Sequence, residues 1–362
     1  MRITFLLPFI FLTGGIKAPL EYANHLCELG HQVIVIYPRR SPYLRWDPKM
    51  QGAVKRITTI WRREMRYWVW RLLGQPELRW MKLMVPLIRV PALSANHIPS
   101  SDVVVAVDWT TARWLGDCDP SKGRQFYLIQ HYETWSGPSD RVDATWQLPM
   151  GKIVVSSWLK DLAEKKFGQE VLGPLIPGVD SRCFYNDHKI YHIPRRVGML
   201  YHDLAWKGVA DGLRAFRIAR QKHPDIQLVM YGAEHPETDL PDYVEFHFKL
   251  LGARLRKVYC SCDIWLCPSW MEGAGMPSME AMACKCALVT TDVGAVRDYA
   301  VPEETALISP PRDPEALARN LIRLLDDEEE LQRISLAGYK NIREFTWERS
   351  TRQLERYLRG ER

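Results

Sequence analysis

Along this chain, short runs of apolar, mostly β-branched residues alternate with longer stretches in which apolar residues recur every third or fourth position. The runs are RITFLLP, QVIVIYP, DVVVAVD, QFYLIQH and KIVVSS in the first half, then RRVGMLY, IQLVMYG, VEFHF, DIWLCPS, ALVTTDVG and TALISP in the second. Apolar runs without polar alternation suit strands covered on both faces, which predicts parallel sheets lying between helices. Two doubly wound α/β domains follow, over 1–178 and 196–345, joined by a polar, turn-rich linker at 179–195.

The intervening stretches carry helix punctuation. KAPLEYANHLCELGHQ stops at Gly30, a residue suited to the left-handed conformation that ends helices. SSWLKDLAEKKFG starts from Ser156 or Ser157 as cap and stops at Gly168. An insert at about 41–100 is unusual. Val54, Ile57, Trp61, Met65, Trp68 and Leu72 step by three or four, an apolar stripe on a helix of about twenty residues. Lys55, Arg56, Arg62, Arg63, Arg66 and Arg71 fall on its other face. Two readings stand: a domain helix with a solvated basic face, or a helix that meets an anionic membrane surface or a polyanionic acceptor. Tyr67, Trp70 and Trp80 add weight to the second.

Composition sharpens this picture in three places. At 362 residues the chain exceeds the ~250–300 at which one hydrophobic core stops growing, in keeping with two domains. The formal charge of +6 is unevenly spread: thirteen Lys/Arg against three acids between Arg39 and Arg89 give +10 there and leave −4 elsewhere. No RNA- or DNA-binding motif accompanies that excess, so no nucleic-acid partner is expected. The cysteine spacings in CSCDIWLC (Cys260, Cys262, Cys267) and CKC (Cys284, Cys286) do not fit a zinc site. Reduced structural thiols, no metal and a cytoplasmic compartment are expected. The opening MRITFLLPFIFLTGG has one basic residue, lacks a small-x-small cleavage site and breaks at Pro8, so it reads as a buried strand and not as a secretion signal. No apolar stretch approaches the ~20 residues of a spanning helix.

Three constellations carry candidate chemistry. Gly14 and Gly15 follow the first strand just ahead of a helix, where glycine lets a ligand approach the backbone and a helix N-terminus favours an anion. Lys207 and Gly208 mark a strand-to-helix turn in GMLYHDLAWKGVADGL, where a lysine can hold a diphosphate as a point charge. In SWMEGAGMPSMEAMAC, a strand leads into a glycine-rich loop and Pro277 takes a helix's first position. Glu280 then falls in the first turn and Glu272 in the loop, with the amides of Gly275 and Met276 between them. Carboxylates pair with sugar hydroxyls and helix-terminal amides with a diphosphate, so the stretch suits a sugar nucleotide.

With its two glutamates separated by seven residues, PSWMEGAGMPSMEAMAC resembles the signature of the retaining glycosyltransferases of the large family four group (glycosyl transferases group 1). The blocks GG with LGHQVIVI, VVSSWLKDLAEKKFG, IPGVDSRCF, WKG, LVMYG, GAVRDY and FTWERSTRQLERYL follow in that family's order. The resemblance implies a GT-B fold: two Rossmann-like doubly wound domains facing each other across a cleft, with the last helix, 346–362, returning to the first. It implies that Glu272 contacts the transferred sugar, that Gly273, Ala274, Gly275, Met276 and Pro277 line the sugar and diphosphate, and that Glu280 binds the ribose. Lys207 would bridge the diphosphate, which Gly14 and Gly15 approach from the first domain, and His131 would face the reacting sugar and acceptor.

The departures are Met199, where the family usually has an arginine, Pro177 for asparagine, Ala274 for an aromatic and Lys285 for glycine. One diphosphate contact is therefore missing or supplied elsewhere, with Arg254 and Arg256 as the candidates. The expected reaction moves a sugar from a nucleotide diphosphate donor to a hydroxyl of a glycan, lipid-linked or polysaccharide acceptor, with retention and without a metal or other cofactor. The acceptor would lie at the inner membrane face, with the enzyme peripheral to it. A GT-B epimerase or phosphorylase, or a non-catalytic binding subunit, are the alternatives.

Overall fold

The computed structural model describes residues 1–45, 61, 62, 64, 65, 67–69, 72, 73, 77–236 and 240–361. Val54, Ile57, Lys55, Arg56, Arg63, Arg66, Trp70 and Arg71 of the insert lie outside the described residues. The chain forms two compact units, Met1–Leu175 with Thr351–Arg362, and Ile176–Ser350.

The first unit holds a six-stranded sheet of β1 (Arg2–Leu6), β2 (Gln32–Pro38), β3 (Leu87–Val90), β4 (Val103–Ala106), β5 (Arg124–Ile129) and β6 (Gly151–Val154). The order is β3-β2-β1-β4-β5-β6, and every pairing is parallel. Residues Val103 to Ala106 are wholly inaccessible, as their unbroken apolar run demands. β3, inside the insert, has no counterpart among the expected strands. It is only LIRV, an edge strand whose Arg89 pairs with Glu64, and a run of four residues broken by an arginine gives no periodic signal. Of the insert's apolar stripe, Trp61, Met65, Trp68 and Leu72 are all exposed.

In the second unit, β7 (Arg196–Tyr201), β8 (Gln227–Gly232), β9 (Val244–Phe248), β10 (Ile264–Cys267), β11 (Ala287–Thr291) and β12 (Ala306–Ser309) lie in the order β12-β11-β10-β7-β8-β9. Counted within each unit, both sheets read 3-2-1-4-5-6, the doubly wound order that places a ligand crevice where the winding reverses. Here that is between β7 and β10. Successive residues of β8 alternate between two cores: Leu228 and Met230 pack on one face, Val229 and Tyr231 on the other.

The segment 179–195, expected as a linker, packs on the second unit. Phe184 is buried in its core. The wholly buried Asp263 accepts from the backbone of His192 at 3.0 Å and Arg196 at 2.9 Å. The last helix, Trp347–Arg359, buries Leu354 and Leu358, and its Glu355 lies 3.0 Å from His31 Nε2 in the first unit. No helix among the described residues is long and apolar enough to cross a membrane.

Candidate active site

In the second unit, the lysine turn and the two-glutamate loop lie at the reversal between β7 and β10. The chain leaves β7, makes a short 3-10 turn at Ala205–Lys207 and passes through Gly208 into the helix Val209–Lys222. Gly208 has φ +65°, and a Cβ there would stand 2.0 Å from the carbonyl oxygen of Pro268. Only glycine lets this turn rest against the end of β10. Lys207 is thereby placed beside the loop, and its Nζ donates to Glu272 Oε1 at 2.7 Å.

Glu272 is 9% exposed, and Ser269 Oγ donates to the same Oε1 at 2.8 Å. Burial works against the charge of Lys207, but the Glu272 carboxylate outweighs it and holds the ammonium above the usual lysine range. The loop is closed from the other side by Gly294, φ +62°, where a Cβ would lie 2.6 Å from the Glu272 carbonyl oxygen. The amide of Ala295 donates to the Gly273 carbonyl at 3.0 Å. Gly273 and Ala274 are half-buried between these anchors.

The helix after the loop runs Met276–Ala283 with Gly275, φ +74°, as its N-cap. Met276 is therefore its first residue and Pro277 its second, one place later than expected. Glu280 falls in the second turn and not the first. It is 6% exposed, and Tyr259 Oη donates to its Oε2 at 3.0 Å. Met199 lies in the middle of β7, wholly buried. An arginine there would point into the core, so the offset from the preceding glycine does not locate a ligand contact in this chain. Arg256 stacks on Tyr185 at 4.0 Å, and Lys285 is one residue past the helix's C-cap, with φ +60°.

His202, which no motif in the sequence marks, leaves the end of β7 instead. Burial and the Lys207 charge keep its imidazole below the ordinary histidine range. Among the described residues no cluster of metal-binding side chains is present, and the eight cysteines carry free thiols.

In the first unit, Gly14 and Gly15 are not ahead of the helix but its first two residues, Gly14–Glu28, with Thr13 at the N-cap position. A Cβ on Gly14 would meet nothing within 4 Å, so packing within the protein gives no reason for glycine there. Gln130 Nε2 donates to the Gly15 carbonyl at 2.8 Å. His131 follows β5, with Trp135 edge-on at 4.3 Å and Trp158 at 5.4 Å.

Two carboxyl groups nearby were not anticipated. Asp108 caps the helix Trp109–Gly116 by accepting from the amides of Thr110 and Thr111 at 3.0 Å, and takes the Tyr43 hydroxyl at 2.9 Å. Glu133 accepts from the Trp109 amide at 3.0 Å. Burial, then the charge of Asp108, pushes Glu133 well above the usual carboxylate range. The only sequence trace of this pair is an acid at the end of an apolar strand, as in VVVAVD.

Residues 186–341 match the family described as Glycosyl transferases group 1. Among curated proteins, the chain is 28% identical over 214 residues to an MMP alpha-(1->4)-mannosyltransferase of Mycolicibacterium hassiacum, covering 56% of this chain and 52% of that one. It is 30% identical over 115 residues to a D-inositol 3-phosphate glycosyltransferase of Salinispora tropica, covering 32% and 24%. The chain thus spans about a quarter to a half of these relatives' length. Among solved structures, HepE of Anabaena, in complex with UDP-glucose, aligns with a TM-score of 0.75 at 14% identity, covering 99% of this chain and 100% of that one. Sucrose-phosphate synthase from Thermosynechococcus elongatus aligns at 0.72 and 16%, covering 99% and 98%. At such identities the likeness is one of fold.

Proposed function

From a chain whose residues 186–341 belong to the glycosyl transferases group 1 family, and whose two doubly wound units give it the GT-B fold, we propose a nucleotide-sugar-dependent glycosyltransferase. It moves a hexosyl or deoxyhexosyl group to a hydroxyl of a glycan, lipid-linked or polysaccharide acceptor, with retention. One observation carries the reading: Lys207 and Glu272, from opposite sides of the β7–β10 reversal, meet at 2.7 Å beside a glycine-shaped loop that opens a helix.

The parts suit a donor of mixed chemistry. A sugar offers hydroxyl donors to the Glu272 carboxylate, and a diphosphate offers charge to Lys207 and to the amides at the start of Met276–Ala283. The ammonium already held by Glu272 is charged and oriented before the donor arrives. Negative charge grows on the departing diphosphate in the transition state, where a fixed cation and helix-terminal amides act most strongly. Glu280 takes the ribose, Gly14 and Gly15 leave space for the diphosphate, and His131 orients sugar and acceptor. The likeness to HepE, solved with UDP-glucose, supports a uridine donor, and Ala274 leaves room for a deoxy sugar.

Nucleotide release from a panel of UDP-, GDP- and dTDP-sugars tests this. Glu272→Ala is expected to lower kcat/KM at least ~100-fold, in the range of a lost charged contact at the reacting group. Equal turnover by wild type and variant would remove Glu272 from the reaction. We also propose that the basic, aromatic insert brings the enzyme to an anionic membrane surface at the inner face, peripheral and in contact with the cytoplasm. The exposure of Trp61 and Trp68 beside Arg62 supports it.

A further inference from the structure

We propose that Tyr259 is a positioning residue for Glu280, and that through it the protein distinguishes a ribonucleotide from its 2′-deoxy counterpart. This rests on the donor reading above, in which Glu280 meets the ribose.

Tyr259 stands on the helix Gly252–Cys260 and is wholly buried. Its ring is held edge-on to Trp265 at 4.9 Å and to Phe184 at 5.8 Å. Its hydroxyl lies 3.0 Å from Glu280 Oε2, and the Tyr231 hydroxyl on β8 lies 2.7 Å behind it. A carboxylate only accepts, so Tyr259 directs its proton to Glu280 and takes that of Tyr231. Both phenols stay neutral: burial lifts each well above the usual tyrosine range, and the Glu280 charge adds to it. The chain of three groups therefore has one arrangement of protons, and each member comes from a different element.

The helix Met276–Ala283 fixes the Cα of Glu280, since Met279, Ala281 and Met282 are wholly buried. It does not fix rotation about the bonds of the Glu280 side chain. Tyr259 does, by holding one carboxylate oxygen on an axis braced by two aromatic rings. A vicinal diol is read by donating to a carboxylate in a set orientation, and a site built for such hydrogen bonds rejects an analogue that lacks one. Packing alone would explain Tyr259 by its ring. The hydroxyl pointed at a carboxylate on the helix that follows the ligand-facing loop is what packing leaves over.

Calorimetric titration of the full chain with UDP, GDP and ADP, and with dUDP, dGDP and dADP, tests this without a known sugar or acceptor. Wild type is expected to bind at least one ribonucleotide about tenfold more tightly than its 2′-deoxy form, and Glu280→Gln to abolish that preference. Tyr259→Phe is expected to weaken the ribonucleotide about tenfold, leave the deoxynucleotide within about twofold, and so erase the preference. Tyr231→Phe, which leaves the Tyr259–Glu280 bond in place, should keep most of it. Because Tyr259→Phe strands the buried Tyr231 hydroxyl, the Tyr231→Phe/Tyr259→Phe pair serves as the second variant, and must also lose the preference. If Glu280→Gln loses it while both variants carrying Tyr259→Phe keep it, the inference fails and the donor reading stands. Should wild type bind no ribonucleotide better than its deoxy form, the ribose role of Glu280 fails, and the inference with it.

Discussion

Glu133 is the residue whose environment departs furthest from what its neighbours in the sequence suggest. HYETWS reads as a polar loop, yet burial and the nearby Asp108 charge hold the Glu133 carboxyl neutral well into the range where carboxylates ordinarily ionise. A group whose folded pKa is raised adds stability that is complete below its unfolded pKa and is lost as pH rises through the folded one. The unfolding free energy of wild type should therefore fall relative to Glu133→Gln, by up to about 1.4 kcal/mol per pH unit, as pH rises from the ordinary carboxylate pKa towards the raised one. Glutamine still accepts from the Trp109 amide, so the difference isolates the charge. Parallel urea titrations of the two proteins across acid and neutral pH would check this, and a difference constant with pH would show that folding leaves the Glu133 pKa where it is in the unfolded chain. Lys207 and Glu272 make the complementary case. Each stands out in the sequence by its motif, but that they bind each other does not, because 65 residues separate them and only the folding of β7 beside β10 brings them together.

Elements were legible where their physics is local. Eleven of the twelve strands among the described residues stand out as apolar runs, and the ends of the helices at Gly30 and Gly168 follow from glycine's tolerance of positive φ, observed at +88° and +59°. The insert's edge strand, β3, depends on its partner β2 and not on its own four residues, so nothing local announces it. The glutamate helix starts one residue earlier than Pro277 suggests, because Gly275, at φ +74°, already supplies the cap that makes Met276 helical. Glycines also separate by what surrounds them. A Cβ on Gly30 would meet nothing within 4 Å, whereas one on Gly208 would meet the Pro268 carbonyl oxygen at 2.0 Å. Gly30→Ala should cost about 1–2 kcal/mol, the strain of a left-handed alanine alone. Gly208→Ala should cost more than about 3 kcal/mol, since the backbone must also separate from β10. Denaturant midpoints would rank the two. Nucleotide affinity should fall only in Gly208→Ala, as Lys207 moves with the turn, and equal losses in both would mean that the approach to Pro268 relaxes freely.

At the scale of the molecule, the two units repeat one sheet order, and this duplication is what the twofold run of apolar segments foretold. Charge divides them unevenly. The +10 between Arg39 and Arg89 belongs wholly to the first unit. That net already counts Glu64, which pairs with Arg39 at 2.7 Å and also with Arg89. In the same stretch of sequence the fold leaves apolar side chains uncovered: Trp61 is 64% exposed, Trp68 50% and Leu72 84%. Soluble proteins scatter single exposed apolar residues, but a helical stripe of tryptophan and leucine among arginines has the make-up of a segment that lies in a lipid headgroup layer. The two contributions separate by salt. Attraction of Lys/Arg to anionic lipid is screened within about 10 Å at 0.1 M salt, whereas insertion of indole rings is not. The full chain should sediment with mixed phosphatidylcholine and phosphatidylglycerol vesicles at low salt, less so at high salt, and little with phosphatidylcholine alone. Trp61→Ser with Trp68→Ser should lower binding at both salt concentrations without changing nucleotide affinity in the second unit. If the protein stays in the supernatant with anionic vesicles at low salt, the basic aromatic face serves something other than a membrane.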